Sequence, residues 1–233
     1  MNLKKRSYKK ELLDSDGIPF EDIRRNMEEL DFINTHLGGH AITISGLKKL
    51  IGDKKSIHVC EIGCGGGDNL LAILKWCNKK NIIAKFTGID IKPACIEFAK
   101  TRQALSARTA WIIADYKRAI FEQKPDIVFS SLFCHHFSEN QLEEQLQWMR
   151  ENSSMGFFIN DLQRHWLAYG SIKLLTQLFS KSYLVKNDAP LSVARGFTKP
   201  EWISILKGAD IEHFSVEWKW AFRYLIMSKH RWQ

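Results

Sequence analysis

A chain of 233 residues with 45% hydrophobic side chains can bury one full α/β core with additions to it. It holds no apolar run long enough to span a bilayer, and its opening MNLKKRSYKK has basic residues with no apolar segment behind them; neither a membrane span nor a secretory signal is supported, and a cytoplasmic location is expected. The formal net charge of +8 includes the cluster Lys4, Lys5, Arg6, Lys9 and Lys10, which reads as a solvated terminal run, because the other cations are scattered rather than set in a stripe with aromatics; nucleic acid is not an expected partner.

The five cysteines, Cys60, Cys64, Cys77, Cys95 and Cys134, form no C-x-x-C pair and stand in apolar settings, which fits reduced thiols used as small core residues. No metal is expected from them. Residues 16 to 50 form a helical preface: Ile23, Met27, Leu30, Ile33 and Leu37 recur at helical spacing until Gly38 and Gly39 stop the run, and Ile42, Ile44, Leu47 and Leu50 carry the chain to Gly52. The preface, residues 1–52, is expected either to close over a ligand or to pack as a cover. Residues 53–233 then form the main domain.

That domain opens on Ile57 to Leu70, IHVCEIGCGGGDNL: a short buried strand, a glycine turn and a helix for which Asp68 is the expected N-cap. Backbone N–H groups at such a turn point at an anionic or polar ligand, and missing side chains let that ligand come close. Strand and helix then alternate. Ala84 to Ile91 is a strand ending in Asp90, Pro93 opens a helix running towards Leu105, and Trp111 to Ala114 is a strand closed by Asp115 and Tyr116. Asp126 to Phe133, DIVFSSLF, is the clearest buried strand and ends in Cys134, His135 and His136. Ser138 and Gln141 make a capping box for the next helix, and Gly156 to Ile159 is a fifth strand ending in Asn160 and Asp161. In a doubly wound sheet these strand ends share one edge, the edge where ligands bind.

Leu167, Ile172, Leu175 and Leu178 place helix in an insertion of about residues 162–198, read as a helical lid. Thr198 and Glu201 form a second capping box, and Ile211 to Trp220 and Phe222 to Met227 read as a closing pair of strands.

Glu61-Ile62-Gly63-Cys64-Gly65-Gly66-Gly67 resembles the E/D-x-G-x-G-x-G motif of class I S-adenosylmethionine-dependent methyltransferases, with Asp90 matching the acid after their second strand. Dinucleotide enzymes carry G-x-G-x-x-G instead. The resemblance covers about residues 55 to 161 and implies a doubly wound, Rossmann-like sheet of seven strands with a terminal antiparallel pair. It implies S-adenosylmethionine as cofactor, held by Glu61, Gly63, Cys64, Gly65, Gly67 and Asn69 at its methionine end and by Asp90 at its ribose. Its adenine would lie near Ile91, Asp115 and Tyr116, and Phe133 would lie beside the cofactor. The segments DLQRHWLAYGSIKLLTQLF and LVKNDAPLSVARGF are similar to parts of small-molecule O-methyltransferases of bacterial secondary metabolism.

A sulfonium methyl is already activated, so in-line positioning supplies most of the acceleration, whereas a phenol with a pKa of about 10 needs a group to take its proton. His136, His135 and His165 are the candidate bases, His136 first, with Asp161 to orient an acceptor or an imidazole. Trp166, Tyr169 and Arg195 are candidate acceptor contacts. The expected partner is a small-molecule acceptor, with a homodimer left open and no membrane. A nucleic-acid or protein methyltransferase and a non-catalytic cofactor-binding module are the alternatives; SLFCHH stands where amino-methylating enzymes carry an N-P-P-Y type sequence.

Overall fold

The computed structural model describes residues 2–230. Seven strands form a single sheet in the order β3-β2-β1-β4-β5-β7-β6. β1 (Ser56–Ile62), β2 (Ile83–Asp90), β3 (Thr109–Ile113), β4 (Ile127–Ser131) and β5 (Gly156–Leu162) run parallel. β7 (Arg223–Lys229) lies antiparallel between β5 and β6 (Phe214–Lys219), as the closing pair of strands predicts. The strand order reverses between β1 and β4, so a crevice opens beyond their carboxyl ends.

Two apolar layers flank the sheet. On one face α6 (Glu139–Glu151) and α9 (Lys199–Gly208) bury Leu142, Leu146, Trp202 and Leu206. Both open on the capping boxes legible in the sequence, Ser138 with Gln141 and Thr198 with Glu201. On the other face α2 (Gly39–Ile51) and α3 (Asp68–Lys79) share a core with β1, β4 and β7, through Leu47, Leu50, Leu70, Val59, Phe129 and Leu225. Gly46 of α2 lies so close to Phe158 of β5 that a Cβ there would stand 2.6 Å from its ring. This part of the preface is therefore a packed cover.

α1 (Phe20–His36) does something else. Its Ile23 and Met27 pack on Cys95 and Phe98 of α4 (Pro93–Lys100), roofing the crevice. The helix expected to run from Pro93 towards Leu105 is broken at Thr101 and resumes as α5 (Gln103–Ser106): Thr101 turns its hydroxyl back to the Phe98 carbonyl, and Arg102 reaches Asp31 of α1. The insertion holds two helices, α7 (Trp166–Phe179) and α8 (Tyr183–Arg195). They part at Ser180–Ser182, where Glu29 of α1 accepts the main-chain N–H groups of Lys181 and Ser182. α3 is capped by Gly67, in the left-handed region at φ +70°, and Asp68 is its first residue rather than its cap.

The basic terminus is not a solvated tail throughout. Arg6 is buried, lies 4.2 Å over the Phe197 ring, and donates to the carbonyls of Arg195, His135 and Phe137. Asp188 of α8 accepts the N–H groups of Leu12 and Leu13, at 2.8 and 2.9 Å, in the 3₁₀ turn Leu12–Asp14. Residues 6–14 thus form a strap across the carboxyl edge of the sheet. Among the described residues no helix is long and apolar enough to cross a membrane.

Candidate active site

Two cavities lie under this roof. The first, about 550 Å³, occupies the crevice at the strand-order reversal. Glu61, Gly63, Cys64, Gly65, Asn69, Asp90, Ile91, Asp115, Tyr116 and Phe133 all line it, so ten of the eleven residues named from sequence come together. Gly67 stands behind the loop, where a Cβ would meet the Trp111 ring at 2.9 Å.

The buried polar chemistry of this cavity is incomplete. Glu61 accepts the Asn69 amide on Oε1 at 3.1 Å, while its Oε2 is buried with no partner. Burial, together with the nearby Asp68 and Asp90 carboxylates, pushes the Glu61 carboxyl well above its ordinary range, against the Asn69 hydrogen bond. A ligand bringing an ammonium or N–H donor to Glu61 would satisfy it. Gly63, at φ +64°, leaves Phe133 room to lie across the loop; a Cβ there would fall 2.1 Å from the ring. Asp90 holds the cradle in shape, accepting Gly65 N–H and Lys92 N–H, both at 2.9 Å. Asp115 caps the turn Tyr116–Arg118 through Lys117 N–H. An orphaned buried carboxylate oxygen and a side-chain-free loop fit the methionine end of the expected cofactor.

The second cavity, about 590 Å³, is walled mainly by aliphatic side chains, among them Ile33 and Leu37 of α1, Ile172 and Leu175 of α7, and Val185 and Val193 of α8. Leu13, Leu30, Leu132 and His136 line both cavities. The backbone of Leu132 sits at φ +53°, an uncommon conformation for a branched side chain, at the point where β4 gives way to the histidines.

His135 lies in the wall of the second cavity and donates from Nδ1 to Asp161 Oδ1 at 2.8 Å. Burial disfavours its charge, but Asp161 and Glu11 outweigh that and push it up to about 9. Asp161 is fully buried and also accepts Leu162 N–H. It orients an imidazole and lines neither cavity. His136 Nδ1 lies 3.2 Å from Asp14 Oδ1. Although burial acts the other way, this contact holds Asp14 at about 2.

Three candidates fall elsewhere. His165 caps α7, accepting Leu167 N–H at 3.2 Å, and stacks between Trp166 and Phe222, so its ring is committed to structure outside both cavities. Trp166 is 68% exposed and, like Tyr169, lines neither cavity. The phase of α7 explains this: Ala168, Ser171, Ile172 and Leu175 follow the i, i+3, i+4, i+7 pattern and take the inner face. Arg195 reaches the first cavity, yet its Nε and Nη1 donate to the carbonyls of His135 and Lys9.

Sequence reading passed over Glu11 and Asp14. Glu11 is buried and stands 3.5 Å from His135 and 3.8 Å from His136. Their one local signal is the reciprocal cap that the pair makes around residues 12–14.

A family model described as a methyltransferase domain matches residues 59–154. Over 80 residues the chain is 34% identical to malonyl-(acyl-carrier protein) O-methyltransferase 1 of Ilyobacter polytropus, a stretch that is 34% of this chain and 28% of that protein. The fold is similar to that of the plantazolicin methyltransferase BpumL in complex with SAH, at 20% identity and a TM-score of 0.66, covering 94% of this chain and 91% of that one. It is also similar to human N-acetylserotonin methyltransferase in complex with SAM, at 17% identity and a TM-score of 0.63, covering 91% and 56%. The chain spans 60% of the length of a similarly folded Nostoc punctiforme protein, at 15% identity and a TM-score of 0.57 over 86% of this chain.

Proposed function

We propose, from the premise that this chain carries a class I S-adenosylmethionine-dependent methyltransferase domain, that it methylates a hydroxyl group on an apolar small molecule seated in the second cavity. One observation carries the reading: the two cavities meet at Leu13, Leu30, Leu132 and His136, and His136 is the polar side chain among the four. S-adenosylmethionine, when bound, supplies a methyl group already activated on a sulfonium. Glu61 would hold its ammonium, Asp90 its ribose, and Ile91, Asp115 and Tyr116 its adenine.

The rest falls to the protein's own side chains. The aliphatic walls of α1, α7 and α8 exclude water and hold the acceptor's carbon skeleton. His136 faces the junction and takes the hydroxyl proton, its ring oriented by Asp14. His135, tied between Asp161 and Glu11, buttresses it; the two ring centroids are 4.5 Å apart. A roofed aliphatic chamber, rather than an open basic groove, supports a small molecule over a nucleic acid.

The test has two stages. Calorimetric titration with S-adenosylhomocysteine should show one site, and NAD binding in its place would overturn the reading. A panel of apolar phenols, acids and amines, assayed with methyl-labelled S-adenosylmethionine, should then give label in phenols; transfer to amines alone would overturn the hydroxyl assignment.

A further inference from the structure

The strap and the end of β4 bring together more donors than proton removal by His136 requires. His135 and His136 each present Nδ1 to a carboxylate, Asp161 at 2.8 Å and Asp14 at 3.2 Å. Each presents Nε2 to a third carboxylate shared between them: Glu11 Oε1 stands 3.5 Å from His135 and Glu11 Oε2 stands 3.8 Å from His136. One ligand atom from each of the three residues lies within 4.8 Å of the others.

These shared contacts are longer than the 2.8 Å bond between His135 and Asp161. They are close to the spacing of atoms coordinated to one ion, since ligands at about 2.0–2.2 Å and tetrahedral angles stand roughly 3.3–3.6 Å apart. Imidazoles that bind metal through one nitrogen commonly donate the other N–H to a carboxylate, which fixes the ring. Here both do. Ser192 Oγ donates to Glu11 Oε1 at 2.7 Å, fixing the third ligand as well. The Arg195 guanidinium is 3.9 Å from Glu11 Oε1, but its bonds go to the carbonyls of His135 and Lys9.

We propose that Glu11, His135 and His136 form a binding site for one divalent first-row transition-metal ion in the wall of the acceptor cavity. Two imidazoles and one carboxylate suit zinc, cobalt, manganese or iron, and leave coordination positions open towards that cavity. Glu11 comes from the start of the chain and the two histidines from its middle, so no short sequence motif announces them. A second cluster, Asp31, His40 and Asp68, serves as the contrast. There Arg102 pairs with Asp31 at 2.8 Å and the one imidazole, His40, already bonds Asp68 at 2.8 Å, whereas Glu11 stands 3.5 and 3.8 Å from its two imidazoles.

The site goes beyond methyl transfer and does not depend on it. With an ion in place His136 Nε2 is a ligand, so metal loading and use of His136 as a free base exclude each other. The chelator-treated full chain, titrated with Co²⁺ and followed by visible absorption, should bind one ion. Glu11→Gln and His136→Ala should each weaken that binding at least tenfold, and His40→Asn should leave it unchanged. Because Glu11 anchors the strap, thermal melting without metal accompanies each variant. His136 is partly exposed at the cavity wall, so its substitution spares the core. No saturable Co²⁺ binding, binding retained in a folded His136→Ala protein, or binding lost in His40→Asn alone would overturn the site.

Discussion

Arg6 donates from Nη2 to the main-chain carbonyl of His135 at 3.2 Å, so the start of the chain is fastened directly behind the imidazole pair. The same guanidinium reaches the carbonyls of Arg195 at 2.8 Å and Phe137 at 2.7 Å. Arg6→Ala would remove the donor to the Arg195 and Phe137 carbonyls, while His135 keeps Arg195 Nε, and would remove a cation stacked on Phe197. A loss of about 2–4 kcal/mol is expected, a fall in Tm of very roughly 5–15 °C for a chain of this size. Lys5→Ala, at an exposed position of the same basic run, should stay within about 0.5 kcal/mol. Scanning calorimetry of the two variants side by side checks the contrast.

Glu61 sets stability against ligand binding. Its native pKa stands above the unfolded value of about 4.5, so the folded chain holds a proton there that the unfolded chain has released. Stability therefore falls as pH rises from about 4.5 through the raised native value. Glu61→Gln removes that slope and should raise Tm at neutral pH in the ligand-free protein. It should also weaken S-adenosylhomocysteine by at least about tenfold, because a cationic ligand loses its counter-charge. In the native protein, calorimetry in buffers of different ionisation enthalpy should record proton release on binding. An unchanged proton count between the native and Gln proteins would contradict the role.

Asp14 gives the opposite pH limb. Held at about 2 by His136, against an ordinary 3.8, it stabilises the fold above about pH 4, and that contribution fades as pH falls towards 2. Its carboxylate is about one-third exposed, so roughly 1–2 kcal/mol is expected after allowance for solvent screening. Urea unfolding of native and Asp14→Asn proteins should differ by that amount at pH 5 and converge as pH falls towards 2. A gap that stayed constant over the interval would point to packing instead.

Gly63→Ala tests the cradle. Its Cβ would lie 2.1 Å from Phe133 at a backbone angle that favours glycine, so either the loop or the ring must move. Loss of S-adenosylhomocysteine binding with a drop of about 1–3 kcal/mol in stability is expected. Gly17→Ala, also at positive φ but with open space around it, should cost only its backbone term and leave binding intact.

The sheet and the cofactor cradle were legible because their signals are local. The glycine run from Gly63, the acids at the strand ends and the two capping boxes each announce themselves within a few residues. The strap was not. Arg6, Glu11 and Asp14 gain meaning from partners on β4, the turn after it and α8, and a basic terminus in isolation reads as solvated. In α7 the aromatic side chains Trp166 and Tyr169 drew attention by type, but helical phase turned the small and aliphatic residues inward. His165 takes a local role that residue type does not announce: a helix start needs an acceptor for its free N–H groups, and this imidazole provides one.

That phase argument yields the remaining prediction. Ala168 is buried on the inner face of α7 and lines the second cavity, the proposed acceptor chamber, whereas it does not reach the first cavity. Ala168→Phe would place a ring in the chamber without touching the glycine loop, Glu61 or Asp90. S-adenosylhomocysteine affinity should hold within about twofold, while kcat/KM for the bulkiest accepted phenols should fall at least tenfold and that for the smallest should change least. Trp166→Ala, one turn-face away and exposed, should leave the size preference of the native enzyme in place. Equal losses across all acceptors in Ala168→Phe would mean that the ring had disturbed the His136 junction rather than filled the chamber, and a changed size preference in Trp166→Ala would move the acceptor to the outer face of α7.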